Sequence, residues 1–495
     1  MIDLAYAGGP IACFGLASLL VSGSRLGKVA GLVAAFIGAC LLGLALAPNA
    51  PGTLAIGVAA AFAAAGAVAI AFRLVPWLLP LAALACIPIR IGVHVDGAGS
   101  KLLVPLYVVI LAATMYLGWE LIRGRERVRE LGLAAWPLAA YLAWIGVSLV
   151  WSKDVHEGAK ELLAFYVPFT ILALAVARLP WSALGLRLLY IEVVVMGLIF
   201  ACVGFYQYQT RDIFQNPKVI QSNAYAPFFR VNSVFWDPSV YGRFLVVAII
   251  PCLVLLVRER VRALAPVVVA AIVVLWFGLL ISFSQSSFAA LLVGVVGAAI
   301  VAWRWRALIA VAAAAAVLAG IVVSAPQLRH SIQHHTSRGL NSATSGRFSL
   351  VANGIRIAEA HPLTGVGVGG FKPAYAERVH RFKSKAPKTA ASHNTPVTVA
   401  AETGLVGLAL FVTLLAALFA MAFRRSDRSL AGSAALAAGL TLAAILCHSL
   451  FYNDFFEDPT TWGLIGLAAL AAAVRPVAVA GEVPPPEAAQ EAVTV

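Results

Sequence analysis

The chain has 495 residues, of which 61% are hydrophobic and only 12% are charged. Soluble proteins average roughly 45–50% apolar and about 25% charged residues, and the mean hydropathy here is +0.91. This composition excludes a soluble enzyme and also a soluble domain with a single anchor. We expect an all-α protein that crosses the membrane many times, because helices satisfy their own backbone hydrogen bonds in lipid.

Charge is scarce but unbalanced, since 36 Lys and Arg against 22 Asp and Glu give a net charge of +14. In a soluble domain this excess would indicate nucleic acid as a partner. In a membrane protein, basic residues first serve to keep short loops in the cytoplasm. The six cysteines lie in or beside apolar runs without metal-ligand spacing, so we predict neither disulfides nor a metal site, and no cofactor.

Apolar runs of about 20 residues, the length that crosses a bilayer, recur along the chain. They lie near residues 4–23, 29–47, 53–72, 75–93, 102–121, 132–151, 160–178, 186–206, 240–257, 264–283, 287–303, 307–324, 395–423, 430–450 and 460–474. The third and fourth runs are divided only by the short segment around Arg73 and Pro76. We therefore predict a polytopic bundle of about 14 transmembrane helices, in the range of about 13–15.

Loop charge predicts the orientation of these runs. Basic loops, expected in the cytoplasm, lie at residues 25–28, 123–129, 258–262, 304–306 and 424–428. Neutral, mixed or acidic loops alternate with them at residues 48–51, 94–100, 152–160 and 452–459. We divide the chain into N-terminal helices (1–206), an outer-face loop (207–239), further helices (240–324), a large basic outer-face loop (325–394), C-terminal helices (395–475) and a disordered cytoplasmic tail (476–495).

The large outer loop carries much of the positive charge. Between Pro326 and Asn394, ten basic residues stand against two acidic ones, and six of the nine histidines lie there. Because topology does not require these cations outside, we predict that they serve an anionic ligand. The alternative is a basic face that rests on anionic lipid headgroups. Adjacent His334 and His335 do not indicate a metal site, since neighbouring side chains point apart on a helix and no carboxylate or cysteine is near.

Within this loop, apolar residues at 348, 351, 355 and 358 recur at helical spacing. The pattern predicts an amphipathic helix at the membrane surface, with Arg347 in its first turn. His361-Pro362 ends the helix, and a glycine-rich turn follows. This turn is not a nucleotide signature, because no Gly-Lys-Ser/Thr follows it and no βαβ unit surrounds it.

His393 lies where the large loop meets the next apolar run. A histidine at such a boundary can exchange protons with water, although a single histidine is more often structural than catalytic. After it come Asn394 and, within the run, Glu402-Thr403-Gly404.

The order of these motifs resembles the O-antigen ligase and O-antigen polymerase superfamily. An arginine that opens a helix is followed by His-Pro-Leu-x-Gly-x-Gly-x-Gly, then His-Asn, then Glu-x-Gly-x-x-Gly at the start of an apolar run, from Arg347 to Gly407. The resemblance is specific over this stretch. It is looser at residues 230–238 and 282–287, and elsewhere only hydrophobicity is shared.

The resemblance implies a bacterial membrane glycosyltransferase of cell-surface polysaccharide biosynthesis. It implies transfer of a saccharide from undecaprenyl diphosphate to a hydroxyl of a glycan, lipid or protein, at the outer (periplasmic) face of the cell membrane and without a metal ion. By resemblance, His393 is the base or orienting group for the acceptor, and Arg347, the second catalytic candidate, holds the diphosphate together with Arg230. The implied substrate-binding residues are Arg230, Gly365, Gly367, Gly369, Asn394 and Glu402.

One departure concerns phosphate binding. Ser284-Gln285 stands where many relatives have Ser-Arg, so one implied diphosphate-binding arginine is missing. The residues themselves also leave alternatives open. Arg230 as a headgroup anchor, Asp237 as part of a simple turn and Glu402 as a helix-capping residue are the structural interpretations. Asp454, Glu457 and Asp458 are interpreted either as lining the site or as solvated.

The main rival function is a polytopic transporter, or a flippase for the lipid-linked saccharide, with a basic external vestibule. Transporters usually place ionisable groups at mid-membrane. Here the apolar runs are nearly free of charge, with Glu192 and His448 as the main exceptions. The polar residues collect in two external loops, which favours chemistry at the membrane surface. Ligase, polymerase and protein O-glycosylation activities are not distinguished by the sequence.

Overall fold

The computed structural model describes residues 2–47, 51–95, 98–124, 130–214, 216–225, 228–258, 261–307, 309, 347–380, 392–425 and 427–474. Within these residues, 11 helical segments are long and apolar enough to cross a membrane, and Ala59–Leu74 and Pro459–Ala473 are shorter apolar helices. The polytopic helix bundle is confirmed, whereas the count of about 14 spans stays a prediction. The run at 310–324 and the tail at 476–495 lie outside the described residues.

The N-terminal part contains α1 (Ile2–Val21), α2 (Arg25–Leu46), α3 (Pro51–Leu74), α4 (Leu78–Cys86), β1 (Ile91–Val95), β2 (Ala98–Leu102), α5 (Val104–Ile122), α6 (Ala135–Ser148), α7 (Val155–Glu161), α8 (Val167–Ala177) and α9 (Ala183–Thr210). The C-terminal part contains α10 (Pro217–Tyr225), α11 (Pro238–Val257), α12 (Ala265–Ser282), α13 (Gln285–Trp303), α14 (Arg347–Ala360), α15 (Phe371–His380), α16 (Thr395–Arg424), α17 (Leu430–Ser449) and α18 (Pro459–Ala473). A π-helical turn, Leu162–Tyr166, joins α7 to α8 into one continuous span.

The prediction of one continuous helix near residues 75–93 is wrong. Helix α4 ends at Cys86 after nine residues, and the chain then enters an antiparallel hairpin in which Ile91 lies opposite Leu102. Nine helical residues rise about 13 Å, less than half of the hydrocarbon core. Pro88 explains the early end, because proline has no N–H to donate and disfavours helical geometry in the residue before it.

Small residues allow the first two helices to pack closely. A Cβ on Gly15 would lie 2.4 Å from the amide nitrogen of Ala35, and a Cβ on Gly38 would lie 2.3 Å from that of Ala12. Such contacts between small residues are typical of helices that associate in membranes. The interior of the bundle is formed by α11 and α17, which are 72% and 78% buried over their apolar windows.

Loops that the sequence assigns to the cytoplasm meet at one end of the bundle. Lys28 Nζ lies 2.8 Å from Glu130 Oε1, and Arg178 pairs with the same carboxylate. All three side chains are buried, and buried charges of this kind persist when they are paired. At the opposite end, the hydroxyl of Ser152 donates to the carbonyl oxygen of Val368 at 2.7 Å. This second end carries the candidate site.

Candidate active site

The connection between α10 and α11 holds Arg230 in a defined place. The side chain of Asn223 exchanges two hydrogen bonds with the backbone of Arg230, at 2.9 and 3.0 Å. The guanidinium Nε of Arg230 donates to the carbonyl oxygen of Ser282 at 3.2 Å. Asp237 caps α11, and its Oδ1 accepts from the amide of Ser239 at 2.7 Å. The connection is thereby tied to the end of α12.

The position of the missing arginine lies at this same corner. Ser284 caps α13 and its hydroxyl lies 2.8 Å from that of Ser287, while Gln285 is exposed. Gln285 is three residues from Ser282, the residue that Arg230 contacts. Arg230 thus places a guanidinium near Gln285, the position at which the resemblance implies another arginine.

His393 lies at the entry to α16 and is positioned by its neighbour. Asn394 is the N-cap, with Oδ1 accepting from Val397 N and Nδ2 donating to the carbonyl oxygen of Leu450, both at 3.0 Å. His393 itself has φ 56°, a left-handed conformation that is uncommon outside glycine. Its ring meets the ring of Tyr452, with centroids 6.1 Å apart. The structure therefore gives Asn394 a positioning role.

The charges of Asp237 and Arg347 act on both His393 and Arg230. Partial burial lowers the pKa of His393 below its ordinary value; the charge of Arg347 lowers it further, and Asp237 opposes this. Burial also lowers the pKa of Arg230; the charge of Asp237 raises this pKa, and the charge of Arg347 lowers it. Because such effects require nearby charges, Asp237 and Arg347 lie within electrostatic reach of both His393 and Arg230. At pH 7 the imidazole is mainly neutral, the form that can accept a proton.

The glycine-rich turn after α14 docks onto a break in α16. Gly404 has φ 67° and interrupts the helix, which leaves carbonyl groups upstream without helical partners. The turn supplies them: Val366 N donates to Ala401 O at 3.0 Å, and Gly367 N donates to Glu402 O at 2.8 Å. The outer loop and the transmembrane helix therefore form one structural unit.

The predicted glycines of this turn lie against protein backbone. A Cβ would lie 2.2–2.3 Å from a backbone atom at Gly365, Gly367 and Gly369. All three have positive φ, so glycine is required on both grounds. The side chain of Glu402 accepts from the amide of Phe371 at 3.2 Å. These residues shape the wall of the site, and direct contact of any of them with substrate stays a prediction.

An open cavity with about 1000 Å³ of free space adjoins His393. Gly369, Glu402 and Tyr452 form part of its wall together with His393. Among the described lining residues, neither Arg230 nor Arg347 appears. His393 thus lines the cavity while the charge of Arg347 acts on its ring.

A buried charge network behind the site was missed by the sequence reasoning. Arg243, which is 7% exposed, pairs with Asp454, and its Nε lies 3.1 Å from Asp458 Oδ2. His448 is fully buried, and its ring centroid lies 5.8 Å from that of Tyr452. The network fixes the loop after α17 against α11, and so it places Tyr452 beside His393. In the sequence, Arg243 is only one charge at the start of an apolar run.

Comparison with known proteins identifies part of the chain. A family model described as O-Antigen ligase matches residues 270–412, a stretch that includes Arg347, the glycine-rich turn, His393 and Glu402. Among curated proteins, no sequence matches the chain. The family match confirms the resemblance seen in the motifs. Residues 270–412 therefore match an O-antigen ligase domain within a chain of many apolar helices, and this match supports a role in polysaccharide biosynthesis.

Proposed function

We propose that the protein transfers a saccharide from undecaprenyl diphosphate to an acceptor hydroxyl at the outer face of the cell membrane. The observation that carries the proposal is that Arg347 lies within electrostatic reach of both Arg230 and His393, and that His393 forms part of the wall of an open cavity. This combination supplies an anion-binding side, a proton acceptor and space for a second substrate.

The two arginines are suited to the leaving group. Guanidinium groups bind phosphate oxygens in a bidentate manner, and negative charge develops on the diphosphate as its bond to the sugar breaks. Fixed cations aimed at that charge stabilise the transition state, and removal of one such group typically costs about 10²–10³ in rate. We infer that Arg230 and Arg347 perform this task without a metal ion.

His393 is suited to activating the acceptor. Its neutral ring takes the proton of the acceptor hydroxyl while the hydroxyl oxygen forms a bond to the anomeric carbon. The bond between that carbon and the diphosphate oxygen breaks, and undecaprenyl diphosphate leaves. A general base in this position typically contributes about 10²–10⁴ in rate. Arg347 serves a second purpose here, because its charge favours the neutral ring.

An apolar cavity supports a lipid-linked donor. It has about 780 Å³ of free space between α4, α8, α9, α11, α17 and α18. Leu172, Val247 and Leu464 are typical of its lining, and it extends to Pro459 at the end of the bundle where the candidate site lies. A prenyl chain bound here would leave its diphosphate near that end. The basic loops at the opposite end favour placing the site outside.

Reconstitution tests the proposal. The full chain, in proteoliposomes, is given an undecaprenyl-diphosphate oligosaccharide and a panel of glycan, lipid and peptide acceptors. Glycosylated acceptor and free undecaprenyl diphosphate should appear in equal amounts. The rate of transfer should be the same with and without EDTA. Absence of protein-dependent undecaprenyl diphosphate release across the panel would contradict the transfer reaction. Strong inhibition by EDTA would contradict the metal-free mechanism.

A further inference from the structure

The cavity beside His393 contains more acidic than basic side chains. Its lining carboxylates are Glu157, Glu161, Glu402 and Glu457. Two amines also line it, on Lys160 and Lys372, but both pair with Glu157, at 2.5 and 2.7 Å. The remaining three carboxylates therefore face the cavity without a neutralising partner of their own among the described residues.

Glu161 and Glu457 have no hydrogen-bond or ion-pair partner within the described part of the chain. Glu161 is half-buried and Glu457 is exposed; both line the cavity, and neither has a hydrogen bond or an ion pair there. Partial desolvation raises the pKa of Glu457, the charge of Lys372 lowers it and that of Glu157 raises it, and the net value is about 7. Neighbouring carboxylates repel one another unless hydrogen-bond donors or cations satisfy them. The cavity is thus built for a donor-rich occupant.

Aromatic side chains provide the other part of the wall. Phe165, Phe371 and Tyr452 line the cavity, and Phe371 is held by stacking on Tyr375 with an interplanar angle of 9°. Ligand sites commonly combine apolar and aromatic walls with a few placed polar groups. A sugar fits both kinds of surface, because its C–H faces pack on rings and its hydroxyls donate to carboxylates.

We propose that this cavity is the acceptor subsite, that it holds the terminal sugar of an acceptor glycan, and that it selects sugars without an acidic group. This inference rests on the proposed function and adds the substrate class. The site would then be divided by charge, with Arg230 and Arg347 on the side of the donor diphosphate and the carboxylates on the side of the acceptor. An acidic sugar would be rejected by repulsion, which is a common source of specificity.

A binding measurement tests the subsite independently of transfer. Three probes share one glucose tetrasaccharide and differ only at C6 of the terminal residue, which carries a hydroxyl, an amine or a carboxylate. The full chain in nanodiscs is titrated with each probe by calorimetry at pH 7.5 and about 0.15 M salt, where longer-range charge effects are screened. We expect the amine to bind about tenfold more tightly than the carboxylate, with the hydroxyl between them, which corresponds to about 1.4 kcal/mol.

Variants locate the preference. In the double variant Glu161→Gln, Glu457→Gln, the ratio of amine to carboxylate affinities should fall to about twofold or less. Glu359→Gln, an exposed carboxylate of α14 outside the cavity lining, is the matched control and should keep the wild-type ratio. Thermal unfolding of each variant shows whether it is folded.

Three outcomes would overturn the inference: equal affinities for amine and carboxylate, no binding of any probe, or an unchanged ratio in the double variant. The two proposals fail separately. A charge preference in binding without any release of undecaprenyl diphosphate would retain the subsite and contradict the transfer reaction. Transfer without a charge preference in binding would retain the transfer reaction and contradict the subsite.

Discussion

Gly367 donates its backbone N–H to the carbonyl oxygen of Glu402 over 2.8 Å. This bond joins the glycine-rich turn to the broken part of α16. It exists because Gly404, with φ 67°, interrupts the helix two residues later. The wall of the cavity beside His393 therefore depends on the break in α16 at Gly404. This dependence arises from backbone geometry and not from charge.

Gly404→Ala should destabilise the protein. A Cβ at this position would lie 2.2 Å from the carbonyl oxygen of Leu363, and the backbone angles of Gly404, φ 67° and ψ −170°, cost a non-glycine residue about 1–3 kcal/mol before any clash. We expect a clearly lower unfolding temperature and little activity. Gly463→Ala in α18 is the control, since nothing lies within 4 Å of its Cβ. Equal unfolding temperatures for both variants would contradict the role given to the break.

Asp454→Asn should lower the free energy of unfolding, because it removes one of the two carboxylates that pair with the buried Arg243. Removal of one partner of a buried ion pair typically costs about 3–5 kcal/mol. The comparison is Asp427→Asn, whose carboxylate is 43% exposed and lies 3.6 Å from Arg425 Nε; exposed pairs contribute at most about 1 kcal/mol. Thermal unfolding in detergent measures both. A cost for Asp454→Asn as small as that for Asp427→Asn would rule out a stabilising network.

Arg347→Ala should lower the transfer rate by about 10²–10³. Arg347→Lys should recover only part of the loss, because an ammonium group cannot bind phosphate in the bidentate manner of a guanidinium. Arg356→Ala provides the control, as Arg356 lies exposed on the same helix. Initial rates in proteoliposomes make the comparison. A wild-type rate in Arg347→Ala would show that this arginine does not act on the diphosphate.

Activity should depend on pH through His393. The neutral ring is the active form, so kcat/KM should rise with pH through the pKa of His393, and the midpoint should lie below the ordinary value of 6.5. Asp237 raises this pKa, so Asp237→Asn should move the midpoint to lower pH while asparagine still caps α11. The pH profile of each protein measures the midpoint. An upward shift, or none, would contradict the assignment.

Local elements of this protein follow from its sequence, whereas contacts between distant elements do not. The apolar spacing after Arg347 predicts a helix, and α14 begins there. Hydrophobicity fails at residues 75–93, because it does not distinguish a helix from an apolar segment that Pro88 turns into extended chain. Glu161 and Glu457 are single charges at the edges of distant apolar runs. Nothing local indicates that the fold places them on one cavity.

The order of motifs predicted Arg230, Arg347 and His393 as candidates, but their proximity is a property of the fold. Asn394 and Gly367 gained positioning roles only when their hydrogen-bond partners were visible. Arg243 gave no signal of its own. Its two partners follow it by more than 200 residues, and single-sequence patterns carry no information on such pairs.

The rate of transfer by His393→Ala tests the central claim most directly. Wild type, His393→Ala and His361→Ala are compared in proteoliposomes with the same lipid-diphosphate donor and acceptor; His361 is an exposed histidine of the same outer loop. We expect His361→Ala to keep the wild-type rate and His393→Ala, folded to the same extent, to lose at least about 10²-fold. A wild-type rate in folded His393→Ala would contradict the account.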